Sequence, residues 1–425
     1  MRGGERNARC KRRELKRLSF NEPTSPVPPV GTGFFPLDKT LDLPATALLP
    51  HAHRSLTRLA TMLPFEQASA SLRELLEVHV SPSTVRRVCL QAGNASLQVQ
   101  EQQAHPLAQV KEEIPAEQMV MSMDGAFVAL TDGEWAEVKL LCIGEVDEHA
   151  RSTHPTSEVH TINLSSFARL DEVSIFSEQA SSEIRRRGIE RAKAVCAVQD
   201  GALWLQPVIQ AHRHDAVRFL DFAHAAEYIS QIGEAVRGRG WHLPARWLQG
   251  VLHRLKHEGP DRVLEHLAWL CKRLNDAEIS KKERYLRLRR EHMQYPTFRR
   301  NGWPIGSGMV ESGNKVVMQA RLKGAGMRWH RTSVNLMLAL RMALCNHRWH
   351  ENWQHQGKHQ HQVREQQRWY KQQQRVAKRL EKKKELQAAL APPPPPPSPA
   401  PKKGRTEAQN RWGRQTFSPR LLRQG

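Results

Sequence analysis

The sequence predicts a mixed α/β protein. Its strand-rich centre is interrupted by a helical insertion, preceded by a helical segment and followed by a basic tail. Three observations predict this. Short apolar runs with strand character recur between residues 118 and 220. Helical periodicity dominates residues 45–98 and 225–303. Charge and proline crowd the two ends of the chain.

The bulk composition narrows the class. A chain of 425 residues has room for about two or three domains. Hydrophobic residues make up 39%, enough for a real core. The formal net charge of +22 favours a polyanionic partner, nucleic acid being the commonest; a merely solvated basic surface is the plainer alternative. The cysteines at positions 10, 89, 142, 196, 271 and 345 form no Cys-x-x-Cys pair, which suits a reducing compartment. No apolar stretch is long enough to span a bilayer, and the first residues lack a signal-peptide core. A cytoplasmic protein without a membrane partner is expected.

Residues 1–44 read as a basic, proline-containing arm. Over 45–98, Ala45 to Met62 and Phe65 to Leu76 carry apolar residues at helical spacing. Ser81 or Ser83 can cap a third helix, with Pro82 in its first turn. That helix presents Arg86 and Arg87, and the pair around the turn is either a helix-turn-helix reading a DNA major groove or an ordinary helical hairpin. Residues 99–117, with Pro106 and Pro115, read as a connector.

Strands begin at 118. Met119 to Met123 and Ala126 to Leu130 lead to Asp132-Gly133, a hairpin turn signal, and then to Trp135 to Ile143. Val159 to Asn163 is a third strand, and a helix from about Phe167 to Arg187 stops at Gly188. Ala194 to Val198 and Val217 to Leu220 complete the strands. After the helical insertion, Ser307 can cap a helix carrying Glu311, and Ser333 to Cys345 forms a second, apolar helix. Core segments therefore lie at 118–224 and 304–350. From 351 to 425 come an exposed Gln/Lys/Arg-rich helix, a polyproline spacer and a basic, partly disordered tail.

Asp124 and Asp200 each end an apolar run and precede a glycine, while Glu311 lies just inside a helix start. Singly, these are a turn residue, a second turn residue and a helix-dipole partner. Together, in the order strand, strand, late helix, they match an RNase-H-like catalytic core. Three carboxylates so placed can hold two Mg²⁺ ions roughly 3.5–4 Å apart, the arrangement that clamps a phosphodiester for in-line displacement. Such a cluster repels itself without cations, so Mg²⁺, with Mn²⁺ as a substitute, belongs to the expectation. Asp221 and His224 form a second polar pair, which either serves the site or caps a helix. Arg321, Lys323, Arg328, Trp329 and Arg331 make a basic segment with an interleaved aromatic, a DNA-backbone strip or a solvated loop.

These residues resemble the DDE transposases of bacterial insertion sequences, most closely the ISKra-type family related to Mutator-like transposases. The likeness rests on Ser122-Met-Asp-Gly-Ala126, Val198-Gln-Asp-Gly-Ala-Leu-Trp204, Leu220-Asp-Phe-Ala-His-Ala-Ala-Glu-Tyr228 and Pro304-Ile-Gly-Ser-Gly-Met-Val-Glu-Ser312. Arg321 to Trp329, Phe35-Pro-Leu-Asp38 and the helix from Ser81 to Gly93 extend it over roughly residues 34–350. The resemblance implies that Asp124, Asp200 and Glu311 are the metal-binding triad and that Asp221 and His224 match a Cys/Asp-x-x-His element. It implies cleavage at the ends of an element and transfer of the freed 3′-hydroxyl into target DNA, by a homodimer or larger assembly on double-stranded DNA associated with the nucleoid. Look-alikes carry a Cys-x-x-Cys before the Phe-Pro-Leu-Asp element. Here that place reads Ser25-Pro-Val-Pro-Pro-Val-Gly31, so the arm is read as a truncated zinc-ribbon region and no zinc is expected. A DNA-binding relic or repressor without catalysis is the alternative, and a nuclease that cuts without joining is a third.

Overall fold

In the computed structural model, residues 50–105, 113–147, 159–199 and 205–390 are described. The basic arm with the first residues of the expected first helix (1–49), the 106–112 part of the connector, 148–158, 200–204 with the acid Asp200, and the spacer and tail from 391 lie outside the described residues. Met119 through Met123 are all buried, as in a strand covered on both faces. They open β1 (Gln118–Ala129), which turns back into β2 (Trp135–Val146). Gly133 supplies the turn with a φ of 93°, and Asp132 Oδ1 accepts from the Glu134 N–H at 3.0 Å. β3 (Thr161–Arg169), β4 (Ala194–Gln199) and β5 (Val217–Leu220) complete a five-stranded sheet of order β3-β2-β1-β4-β5. β1, β2 and β3 pair antiparallel, whereas β4 and β5 run parallel to β1.

Three helices precede the sheet: α1 (Pro50–Met62), α2 (Phe65–Leu76) and α3 (Pro82–Ala104). The Ser81 hydroxyl, not that of Ser83, caps α3 by accepting from the Thr84 N–H at 3.2 Å. α3 continues past the expected connector boundary at 99, because Val99 and Ala104 are buried and extend its apolar face. α4 (Val173–Arg186) and α5 (Leu205–His212) cover one side of the sheet. There Met119, Met121 and Met123 of β1 and Val195 and Ala197 of β4 share a core with Phe176 and Ile184, following the two-residue period of strands. Phe167 departs from the expected helix. It pairs opposite Leu141 as part of β3 and packs 5.8 Å from Phe176, so sheet pairing overrides a helical spacing that α4 begins to follow only at Val173.

The insertion comprises α6 (Phe222–Gly238), α7 (Trp247–His257), α8 (Asp261–Leu274), α9 (Ala277–Leu288) and α10 (Tyr295–Arg300). α10 returns the chain to β5: Phe298 lies 4.0 Å from Phe219, and the Tyr295 hydroxyl donates to the Leu220 carbonyl at 2.9 Å. The chain then forms α11 (Gly308–Gly313), a wide π turn at Asn314–Gln319, the short α12 (Ala320–Leu322) and α13 (Arg331–Cys345). A Cβ at Gly93 would lie 2.5 Å from the Leu336 carbonyl oxygen, so glycine is what lets α3 and α13 touch. The described residues up to Trp349 form one compact unit, which includes the helices expected as a separate domain over 45–98. α14 (Trp349–Leu390) carries the chain into a second unit from residue 350. Over its exposed length Trp369, Tyr370, Val376 and Leu380 face solvent. No described helix is long and apolar enough to cross a membrane.

Candidate active site

β1 and β4 pair from Gln118↔Ala194 to Ser122↔Val198, where the ladder between them stops. Asp124 lies just beyond, still opposite Leu140 of β2. Gln199 ends β4, and Asp200 follows it in the chain, outside the described residues. Open α/β sheets seat their ligands at the carboxyl ends of parallel strands, and Asp124, inside β1, stands just past the carboxyl end of its parallel ladder with β4. Its alternation places it with Ser122 on the side opposite Met121 and Met123, the side on which α11 lies.

Asp124 is half-buried. Its Oδ1 accepts the Gly125 N–H at 2.7 Å, and its Oδ2 accepts the Asn314 side-chain amide at 2.6 Å. Asn314 reaches it because Gly313 lets the helix approach the sheet: a Cβ there would lie 2.4 Å from Cys142 Sγ. Burial pushes the Cys142 thiol up to about 12, a hydrogen bond with Ser166 opposes this, and the Asp124 charge adds to it.

Asp221 closes the other side. It is 5% exposed, caps α6, and accepts from the N–H groups of Ala223 (3.3 Å), His224 (3.2 Å) and Ser307 (2.9 Å) and from the Ser307 hydroxyl (3.0 Å). Its own N–H donates to the Gln199 carbonyl at 2.7 Å, and the Phe222 N–H donates to the Ile305 carbonyl at 3.0 Å. Thus the end of β4, the start of α6 and the segment before α11 are tied at one point. Ser307 does not cap α11 with its side chain as expected. Its hydroxyl stands instead between Asp221 and an oxygen of Glu311 at 3.2 Å. Glu311 is exposed, in the first turn of α11, and three residues before Asn314, so both project from the same side of the helix.

The four hydrogen bonds at Asp221 give its carboxylate the helix-capping role that the sequence left open beside a role in the site, and tie α6 to the segment before α11. His224 lies in the first turn of α6, and its half-buried ring lies 5.1 Å from the Tyr228 ring and 6.1 Å from that of Tyr285. Among the described residues no group of three or more His, Cys, Asp or Glu side chains is placed to hold a metal ion; Asp200 is not one of them. The groups present fit Mg²⁺ in kind: Asp124 and Glu311 offer hard carboxylate oxygens. Beside them, a cavity of about 530 Å³ runs between Ser122, Val198, Gly308 and Ser312 and is edged by Lys256 and Arg299.

The expected DNA-contact residues divide. Arg86 and Arg87 are exposed on α3, and Lys323, Arg328 and Arg331 are exposed around α12 and the start of α13. Arg321 and Trp329 are corrected to core residues, at 2% and 5% exposure. The Arg321 guanidinium lies 4.8 Å from the Phe65 ring and 5.0 Å from that of Trp329, and its Nε donates to the Ala60 carbonyl at 3.0 Å. Arg341 donates to the Thr61 carbonyl at 3.2 Å. Two buried cations thereby satisfy carbonyls at the end of α1, where a helix leaves them without partners and carries partial negative charge. Trp329 donates through Nε1 to the Leu322 carbonyl at 3.1 Å and forms a bridge with Leu130 after β1. Reading the sequence missed Ser307 as a link and Asn314 altogether; the latter's one signal is its helical spacing from Glu311.

No protein-family model matches this chain, and no curated protein matches it.

Proposed function

We propose that this protein is a Mg²⁺-dependent DNA transposase with an RNase-H-like catalytic core. One observation carries the reading. Asp124, at the end of the β1–β4 ladder, is hydrogen-bonded through Asn314 to the helix that bears Glu311, and in the sequence Asp200 follows Gln199, the last residue of β4. The sheet order, with three antiparallel strands followed by two parallel ones, supports the same reading, as does the helical insertion before the last acid.

In this reading Asp124, Asp200 and Glu311 hold the ions. Bound Mg²⁺, or Mn²⁺ in its place, supplies Lewis-acid activation of the nucleophile and charge stabilisation at the leaving oxygen. Asp221 and Ser307 fix the segment before α11 and so the place of Glu311. His224 is a donor toward phosphate at the same helix start. Lys323, Arg328 and Arg331 contact the DNA backbone, and Arg86 and Arg87 meet the duplex from α3. Pairing two element ends calls for a homodimer or larger assembly on double-stranded DNA, in the nucleoid of a bacterial cytoplasm.

The test is mobilisation in cells of a marker bordered by the gene's own flanking DNA. Movement is expected with the wild-type chain and not with Asp124→Asn. If neither moves the marker while the protein still retards its flanking DNA in a gel, the reading gives way to a DNA-binding protein without catalysis.

A further inference from the structure

Asn314 takes no part in the chemistry outlined above, yet its side chain ties the helix of Glu311 to the strand of Asp124. It is 7% exposed. Its amide nitrogen, not its oxygen, must face Asp124, because two acceptors would repel. The amide oxygen then turns elsewhere and meets no hydrogen-bond donor among the described residues. A buried acceptor left unsatisfied typically costs about 1–3 kcal/mol, so the fold gives up stability to aim this amide N–H at Asp124.

The backbone around Asn314 is built to hold it there. Asn314 opens the wide turn, in which the Ala320 N–H reaches back to the Lys315 carbonyl. Single π turns inside α-helices are rare and often mark functional sites. Buried Arg341 takes up the loosened carbonyls, donating to Val317 O at 3.1 Å and to Val316 O. Together with the close approach at Gly313, this sets the distance between Asn314 and β1.

We infer that Asn314 is a positioning residue for the metal site: its amide N–H fixes the orientation of the Asp124 carboxylate. This rests on the transposase reading in requiring a divalent ion at Asp124. Partners that orient metal ligands typically change metal affinity by about 10–100-fold when removed.

The experiment measures Mn²⁺ binding to the full chain by the loss of its free-ion electron paramagnetic resonance signal. It needs no DNA and no turnover. Wild type is compared with Asp124→Asn, Asn314→Ala and Asn314→Leu, the last filling the same space without a donor; thermal melts identify folded variants. Binding by wild type, its loss in Asp124→Asn and a weakening of about 10–100-fold in the folded Asn314 variant or variants support the inference. Unchanged affinity in a folded Asn314 variant overturns it and leaves the metal reading intact. Absence of Mn²⁺ binding by wild type overturns both.

Discussion

Asp124 and Asp221 both follow apolar runs, yet their surroundings divide the work between them. Asp221 is buried beneath four donors from two segments distant in sequence. Asp124 is half-buried and aligned by Gly125 and Asn314. Removing the Asp221 carboxylate leaves those donors unpaired, so Asp221→Ala is expected to lower stability by about 1–3 kcal/mol. Urea unfolding reads this directly, and an unchanged midpoint would remove its structural role. The sequence shows where an acid follows a strand but not which donors reach it. The same limit applies to the basic segment. Lys323, Arg328 and Arg331 are exposed as expected, while Arg321 and Trp329 turn inward, because carbonyls at the end of α1 and the Phe65 ring offer them partners.

Elements were legible where local chemistry decides them. The Asp132-Gly133 turn, the Gly188 stop with its φ of 65° and the β4 and β5 runs stand where residue type alone puts them. β3 was misplaced because pairing with β2 extends it through Phe167 to Arg169. The π turn was invisible because it depends on Arg341, which lies 25 residues beyond Val316. In the insertion, the Trp247 indole donates to His266 Nε2 at 2.9 Å, a bond that requires the neutral imidazole. Burial first, and the Arg254 charge second, lower His266 from its ordinary 6.5. Between 6.5 and that lowered value the unfolded chain binds the proton and the folded chain does not. The stability from this residue is therefore complete above the window and is lost as pH falls through it. Tryptophan-monitored urea unfolding should show a midpoint that falls with acidification. The fall should be shallower in His266→Gln, whose amide oxygen can accept the same bond; equal slopes would refute the assignment.

At the scale of the whole molecule, charge and topology make separate contributions. If the proposed function holds, a formal charge of +22 makes duplex binding dominated by counterion release, so affinity should drop steeply with added salt. Arg86 and Arg87 are exposed on the helix nearest a groove-reading role. If each neutralises one phosphate, replacing both with alanine should reduce the slope of log affinity against log salt by about two. Fluorescence anisotropy over a salt series measures it, and an unchanged slope would place the DNA elsewhere. Topology in turn packs α11 on β1 and β2, which brings residues 124 and 314 within hydrogen-bond distance.

The sequence by itself determined the mixed α/β class, most strand and helix positions, the basic balance and the candidate acids. These follow from periodicity, capping and turn residues, and charge, all of which act within a few residues along the chain. Only the tertiary structure decided that Asp221 is a clamp, that Arg321 and Trp329 are core, and that Asn314 holds Asp124. Those assignments depend on which donors and acceptors meet across 86 to 261 residues of separation, as between Ser307 and Asp221 or Arg321 and Ala60. A hydrogen bond formed over such a span is set by packing, and packing is a property of the folded chain.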